Sequence, residues 1–551
     1  MKPSFRYDCP IITTAILLLT VSLLHGATVH VRLLDAETSS ITPAMVCITG
    51  AEGEVRLPPD GRIMTSPSST RAFYSGVEFD PDPNWIGPVR KMQGIGDNND
   101  RSYVYDQLPS IPSWKEPVMY QTSGNFSIQL PEGKWRVAVD RGLEHIPVIK
   151  TFEVTSGDDI TLEIELERWI NLPENGWWSG DVHVHHPTLK DSHRQFLLSY
   201  ARACDLHVVN ALEMGHHQGT DFKQAGFGET FRVHDGDYWM ASGQEEPRST
   251  FGHIIGLNTR ALARDLPTYD FYDLAFKRIH EQRGALVGFA HFSWNGCDLP
   301  RGFPWYVTTG GLDFIELLQF SKINAIDYYD YLNLGFKLTA AAGSDAPWGS
   351  TVGEVRTFVH SGPTLDLDSW FQNLKAGHTF VSNGPALEFT IDDQLPGTEL
   401  AIKAGDKVRI KARVLSHPAI GVPTSLTLVG NEGVLLEVLN PDQANSLVID
   451  LERTINQSQW LVVSTVCDNN ALAHSSPVYV KVDDRPTWCP DRGPVVIRKQ
   501  LESIENIARE FTPASDARAK GIHERLNRAR DYYAKLLAEM TAYSTSPSRE
   551  E

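Results

Sequence analysis

The stretch Trp177-Trp178-Ser179-Gly180-Asp181-Val182-His183-Val184-His185-His186-Pro187 decides how this chain is read. Alternating Val and His in an apolar run is a strand pattern, and residues i and i+2 of a strand face the same side. His183 and His185 therefore present two imidazoles together, at the spacing of a two-point metal grip. Pro187 ends the strand because it has no N–H to give a ladder. A bare H-x-H pair is more often packed or superficial than ligating. Four sites downstream reverse that balance.

Each of the four sets a His or an acid where an apolar strand meets a loop. Gly243-Gln244-Glu245 follows a strand at 238–241 and delivers a carboxylate. His253 opens the run HIIGL, and His291 ends the apolar strand at 285–290. A strand at 339–342 runs into Gly343-Ser344-Asp345. Packing explains one such placement easily, since Asp345 after Gly-Ser is also a natural turn residue, but four are harder to explain. Mixtures of imidazole and carboxylate suit zinc, manganese or iron.

Further strands are expected at 207–212, 314–318 and 355–359, with helices at 195–204, 271–282 and 325–334. Asp270 is placed to N-cap the second helix. Strands alternating with helices over 177–384 predict an α/β domain, with enough strands for barrel-like closure. On either side the pattern is β. Residues 27–168 carry alternating strands such as NFSIQL and KWRVAV around the turn Pro131-Glu132-Gly133, and residues 53–115 read as long loops. Residues 385–485 repeat the β pattern, so both flanks are read as small β-sandwiches. Over 494–542, Ile497, Leu501, Ile504, Ala508 and Phe511, then Ile522, Leu526, Ala529, Tyr533, Leu536 and Met540, recur at helical spacing. Two docked amphipathic helices are expected there.

The 551 residues are 41% hydrophobic and 22% charged, which excludes a disordered chain. A net charge of −19 argues against binding nucleic acid or anionic lipid, which needs cationic surface. Lys2 and Arg6 precede an apolar run at 11–24, and Gly26 and Ala27 are small, so residues 1–26 read as a secretory signal peptide. No later stretch is long and apolar enough for membrane insertion. The expected location is exported, periplasmic or extracellular. Beyond the signal, Cys47, Cys204, Cys297, Cys467 and Cys489 make an odd count with no C-x-x-C pair. Cys467 and Cys489 are candidates for a bridge, and a zinc–thiolate centre is excluded.

The stretches WWSGDVHVHH, ASGQEE, FGHIIGLN, GFAHF, GLDFIELLQ, AAGSDAPWGSTVGEVRTFVH and AGHTFVSNGPALEF resemble, in order and spacing, the PHP (polymerase and histidinol phosphatase) superfamily of metallohydrolases. Within it they are similar to the CehA/McbA branch. FSIQLPEGKWRVAVDRGLEHIPV and RARDYYAKLL extend the resemblance over most of the chain. It implies a distorted (β/α) barrel with a two- or three-metal site, and for this chain two ions are expected, within a range of one to three. By motif, His183, His185, Glu245, His253, His291 and Asp345 fall on ligand positions, and Asp191 on a further one. Two stretches depart from the pattern. Glu213-Met214 stands where the family has Asp-His, and Ser344-Asp345-Ala346-Pro347 where it has Ser-Asp-x-His. Met is a poor ligand for such cations, so His216 or His217 is a candidate replacement, and fewer metals than in the fullest members are expected.

The reading that follows is a metal-dependent hydrolase, in which metal-activated water cleaves an ester, amide, carbamate or phosphoester of a small molecule. Glu245 is the expected bridging carboxylate and Asp345 the partner of the attacking water. Arg356 is a candidate oxyanion group or a buried structural arginine, and His216 a candidate proton donor. His378, Asn383 and Gly384 are expected at the mouth. Trp177, Trp178, Trp239, Trp294 and Trp348 form either an apolar wall or core. With no basic cluster near the motifs, the balance tilts toward a neutral ester, amide or carbamate, or a simple phosphoester. The competing reading is a secreted binding protein whose barrel has lost its metals.

Overall fold

The computed structural model describes residues 26–51, 55–56, 58–61, 120–293, 301–347, 351–511 and 516–544. The expected signal peptide, most of the loops at 53–115, and Trp294, Cys297 and Trp348 lie outside the described residues. The fold is mixed α/β and dominated by strands in several sheets.

Near the N-terminus, Gly26–Asp35 lies between Asn125–Pro131, antiparallel to it, and Asp159–Leu166, parallel to it. A second sheet pairs Ala44–Gly50 with Gly133–Asp140, and that strand with Val148–Val154. The alternation in NFSIQLP buries Phe126, Ile128 and Leu130 against Val29, Val46, Trp135 and Val137, so both sheets share one apolar core.

The central strands come in the order expected. Trp177–Val184 pairs in parallel with Val208–His216, which pairs in parallel with Tyr238–Ser249. Gly252–Leu257 then runs antiparallel to both Tyr238–Ser249 and Leu286–Phe289. Phe314–Gln319 and Thr339–Ala342 follow in parallel. Backbone hydrogen bonds just past Ala342 lead back to the first strand. The Asp345 N–H donates to the His183 carbonyl (2.8 Å) and the His185 N–H to the Ala346 carbonyl (2.7 Å). These strands are buried on both faces, so they read as continuous apolar runs rather than as alternation.

The helix Asp191–Ala203 packs Phe196, Leu197, Tyr200 and Ala201 on Met45 and Ala138 of the N-terminal sheets and on Val184 and Val209. Beneath it lies a buried ionic cluster. Asp205 meets Arg168 Nη2 at 2.8 Å and accepts a hydrogen bond from the Tyr238 hydroxyl at 2.6 Å, while Arg168 Nη1 donates to Glu144 at 3.0 Å. Burial, with the Asp205 charge, pushes Glu144 up to about 7. Burial also pulls His145 down to about 3 and His207 down to about 4.

Several details correct the expectations. Asp270 does not cap the helix Tyr272–His280; its carboxylate accepts from Arg518 (2.5 Å) on the last helix instead. The expected boundary at 384–385 is not a break in hydrogen bonding. Thr379–Ser382 pairs with Arg356–His360 on one side and with Leu472–Ser475 on the other, so one sheet runs across it. Cys467 and Cys489 are buried and are not bridged to each other.

The C-terminal helices Gly493–Glu510 and Ala517–Ser544 bury Ile497, Ile504, Ile522, Leu526 and Tyr533 against Phe251, Phe303 and Trp305 of the central region. The Tyr533 hydroxyl donates to the Pro304 carbonyl at 2.7 Å. Among the described residues, no helix is long and apolar enough to cross a membrane.

Candidate metal centre

Six side chains from five loci converge at strand ends. His183 and His185 come from Trp177–Val184 and its continuation, and Glu245 from Tyr238–Ser249. His253 comes from Gly252–Leu257, His291 follows Leu286–Phe289, and Asp345 follows Thr339–Ala342. Three triads among them bring donor atoms within 4.8 Å of one another: His183, His291 and Asp345; His183, His185 and Glu245; and Glu245, His253 and His291. His291 and Asp345 both adopt left-handed backbone (φ 60° and 55°), which non-glycine residues adopt only where the surroundings enforce it.

Three imidazoles have their Nδ1 occupied. His183 Nδ1 donates to Glu316 (2.8 Å), His185 Nδ1 to the Leu212 carbonyl (3.2 Å), and His291 Nδ1 to the Gln319 side-chain oxygen (2.8 Å). A proton on Nδ1 leaves Nε2 as a lone pair, the usual way a ligating histidine is oriented. The three Nε2 atoms face the centre. His183 Nε2 is 3.1 Å from His185 Nε2, and both lie near Asp345 Oδ1, at 3.4 and 3.2 Å.

The Glu245 carboxylate spans the group. Its Oε1 is 2.7 Å from His253 Nδ1, 3.3 Å from His291 Nε2 and 3.6 Å from His183 Nε2. Its Oε2 is 3.4 Å from His185 Nε2 and 2.7 Å from Arg248 Nε. That Oε2 is buried, and the Arg248 contact is an ion pair without hydrogen-bond geometry. A buried carboxylate oxygen lacking a hydrogen bond, with imidazole nitrogens around it, can accept a cation beside Arg248.

The buried acids favour positive charge at the centre. Burial opposes charge on His183, yet Glu316, Asp345 and Glu245 outweigh it and hold its imidazole well above the ordinary value. Burial likewise pushes Glu245 and Asp345 up. Arg248, His253 and His183 hold Glu245 well below its ordinary range, and the site histidines hold Asp345 down. Burial, aided by Arg248 and His291, pulls His253 to about 4, against the Glu245 carboxylate.

Residues outside the expected set support these ligand candidates. Glu316 Oε2 accepts the His291 N–H (2.8 Å) and the Gln319 side-chain amide (3.1 Å), so with its Oε1 on His183 one buried carboxylate braces two ligand candidates. Asp181 accepts backbone N–H groups of His183, Ser344 and Gly353, each at 3.0 Å, and burial pushes it up to about 6. Gly343 is required by closeness, because a Cβ there would sit 2.3 Å from Glu316 and 2.5 Å from the His183 Cβ. An acid within an apolar strand is the sequence signal for Asp181 and Glu316.

Other expected residues are not brought to the centre. Asp191 begins its helix with its side chain 86% exposed, ion-paired with Arg194. His216 pairs with Asp221 (3.4 Å) and Gln218 (3.0 Å) in a part-exposed turn, and His217 packs on Tyr269. Neither replaces Met214, which is buried. Arg356 is structural. Its guanidinium donates to the backbone carbonyls of Gly353 (3.0 Å), Asp205 (2.9 Å) and Cys204 (2.5 Å), which leaves no fork for an oxyanion. His378 donates to Pro396, and Asn383 bonds to Ser321 and Leu472, so both serve the junction with the C-terminal strands. Gly384 packs toward Ala471 in the same junction. Trp177 and Trp178 are core, and Trp239 stacks on His234.

No family model and no curated protein matches this chain.

Proposed function

We propose that the protein is an exported metal-dependent hydrolase of small-molecule esters, amides, carbamates or phosphoesters. On this reading the returning path of central strands is the distorted (β/α) barrel of PHP-like enzymes, and the β-rich flanks are its accessory sandwiches. The observation that carries the reading is the convergence of the Nε2 lone pairs of His183, His185 and His291 on Glu245 and Asp345. His183, His185, Glu245, His253, His291 and Asp345 would hold two ions of zinc, manganese or iron. A metal bound there would supply Lewis acidity toward a C=O or P=O group and toward water.

The chain's own groups set the rest of the chemistry. Asp345, anionic over the neutral range, takes the proton of the attacking water. Glu316, Gln319 and the Leu212 carbonyl hold the imidazoles in one tautomer and orientation. Asp181 fixes the backbone of His183 and Ser344, so the two ends of the ligand set keep their spacing. Loss of metal during evolution, leaving a binding protein, is disfavoured by this intact support, which a bare binding surface does not need.

Metal quantification of the purified protein, joined to an activity screen over phosphoesters, carboxyl esters, amides and carbamates, tests the proposal. At least one metal per chain with turnover of one class is expected. Less than one metal per chain after reconstitution with manganese, zinc and iron overturns it.

A further inference from the structure

Arg248 is the one cationic side chain that contacts the ligand set among the described residues. It lies three positions after Glu245, beyond an irregularity in the pairing of Tyr238–Ser249 with Gly252–Leu257. Its Nε sits 2.7 Å from Glu245 Oε2 and 3.4 Å from His253 Nδ1. Its backbone N–H donates to the Tyr269 hydroxyl (3.1 Å), which anchors the residue. The side chain is 23% exposed, so it reaches from the buried carboxylate to solvent. Among the described residues no group meets its two terminal nitrogens, in contrast to Arg356, whose fork is filled by backbone carbonyls. A guanidinium placed by its Nε, with neither Nη group engaged by a described residue, is prepared for a two-oxygen anion.

We infer that Arg248 is a specificity-determining residue that receives an oxyanion of the substrate beside the metal centre. The inference rests on the hydrolase reading and narrows it. The preferred substrate carries a phosphate or carboxylate oxyanion next to the bond cleaved, rather than being neutral. The overall charge of −19 does not oppose this, because the recognition is local: one fixed fork in a partly desolvated site. The scarcity of Lys and Arg along the motifs is also consistent, since a single guanidinium suits one oxyanion and not a polyanion.

The test uses full-length protein reconstituted with manganese, with metal content measured for every variant. Binding of inorganic phosphate and of benzoate is followed by calorimetry. Hydrolysis of p-nitrophenyl phosphate is compared with that of p-nitrophenyl acetate. In Arg248→Gln we expect metal content equal to wild type and at least tenfold weaker binding of the preferred anion. The anionic substrate should lose kcat/KM mainly through KM, and by a larger factor than the neutral ester. Arg248→Lys, which keeps the charge without the fork, should recover part of the loss. A phosphate-only effect assigns a phosphoester, and a benzoate-only effect assigns a carboxylate-bearing substrate. Metal-loaded wild type and Arg248→Gln that bind both anions alike overturn the inference and leave the hydrolase reading standing. Loss of metal in Arg248→Gln also overturns it, because Arg248 then only positions Glu245. A wild type that takes up no metal overturns both.

Discussion

Nε2 of His183 lies 3.1 Å from Nε2 of His185, while Nδ1 of each ring is committed to an acceptor, Glu316 for one and the Leu212 carbonyl for the other. The two Nε2 atoms thus face each other at hydrogen-bonding distance, where Glu316, Asp345 and Glu245 favour positive charge. A cation is the natural partner for both. Removing the pair removes that partner's site. His183→Ala combined with His185→Ala should therefore drop metal content below one per chain and abolish hydrolysis. The fold should persist, with a loss of about 1–3 kcal/mol from the unpaired Glu316 carboxylate. Elemental analysis alongside circular dichroism reads both outcomes.

Glu316 uses both oxygens as acceptors, toward His183 Nδ1 on one side and toward His291 N–H and the Gln319 amide on the other. Glutamine offers one acceptor and turns an NH2 group toward donors. Glu316→Gln should weaken metal binding by about 10–100-fold, the usual effect of losing a ligand's hydrogen-bond partner. Competition with a chromogenic chelator measures it. Unchanged affinity would show that Glu316 does not orient the ligands.

Arg356 holds three backbone carbonyls from two segments. Gly353, one of the three, also donates its N–H to Asp181. Arg356→Lys should cost about 3 kcal/mol of stability, because an ammonium cannot reproduce the fork. KM at permissive temperature should stay near wild type. A raised KM with unchanged denaturant midpoint would instead make Arg356 a substrate contact.

The buried cluster around Asp205 makes stability depend on pH. His207 is depressed in the folded state to about 4, mainly by burial, so its stabilisation is complete above its ordinary value near 6.5. That contribution is lost as pH falls through about 4, and His145, depressed to about 3, behaves alike. Glu144, raised to about 7, works the other way, and its contribution is lost as pH rises toward 7. His207→Asn should thus flatten the acid side of the stability profile. Urea midpoints at pH 7 and pH 5 should differ less in the variant than in wild type. An equal difference would mean that His207 does not titrate on unfolding.

The periods 2 and 3.6 made most elements legible. Trp177–Val184, Gly252–Leu257, Thr339–Ala342 and both C-terminal helices fall within a residue or a few of their expected bounds. The helix Leu367–Ala376 was missed, although Asp366 caps it through the Ser369 N–H. Asp270 misled in the opposite sense, because a tertiary ion pair with Arg518 competes for the carboxylate that would have capped.

By itself, the sequence determined which residue types stand at strand ends. Side-chain alternation places His183 beside His185, and an acid or imidazole closing an apolar strand has few other uses. The six central ligand candidates follow from that pattern. Only the tertiary structure decided which other polar groups join them. Asp191 leaves for solvent and Arg356 is consumed by backbone carbonyls, whereas Glu316, Gln319 and Arg248 enter the centre. The physical reason is that these roles depend on what faces each side chain across strands distant in sequence. His183 and Glu316, 133 residues apart, meet only once the strands are paired.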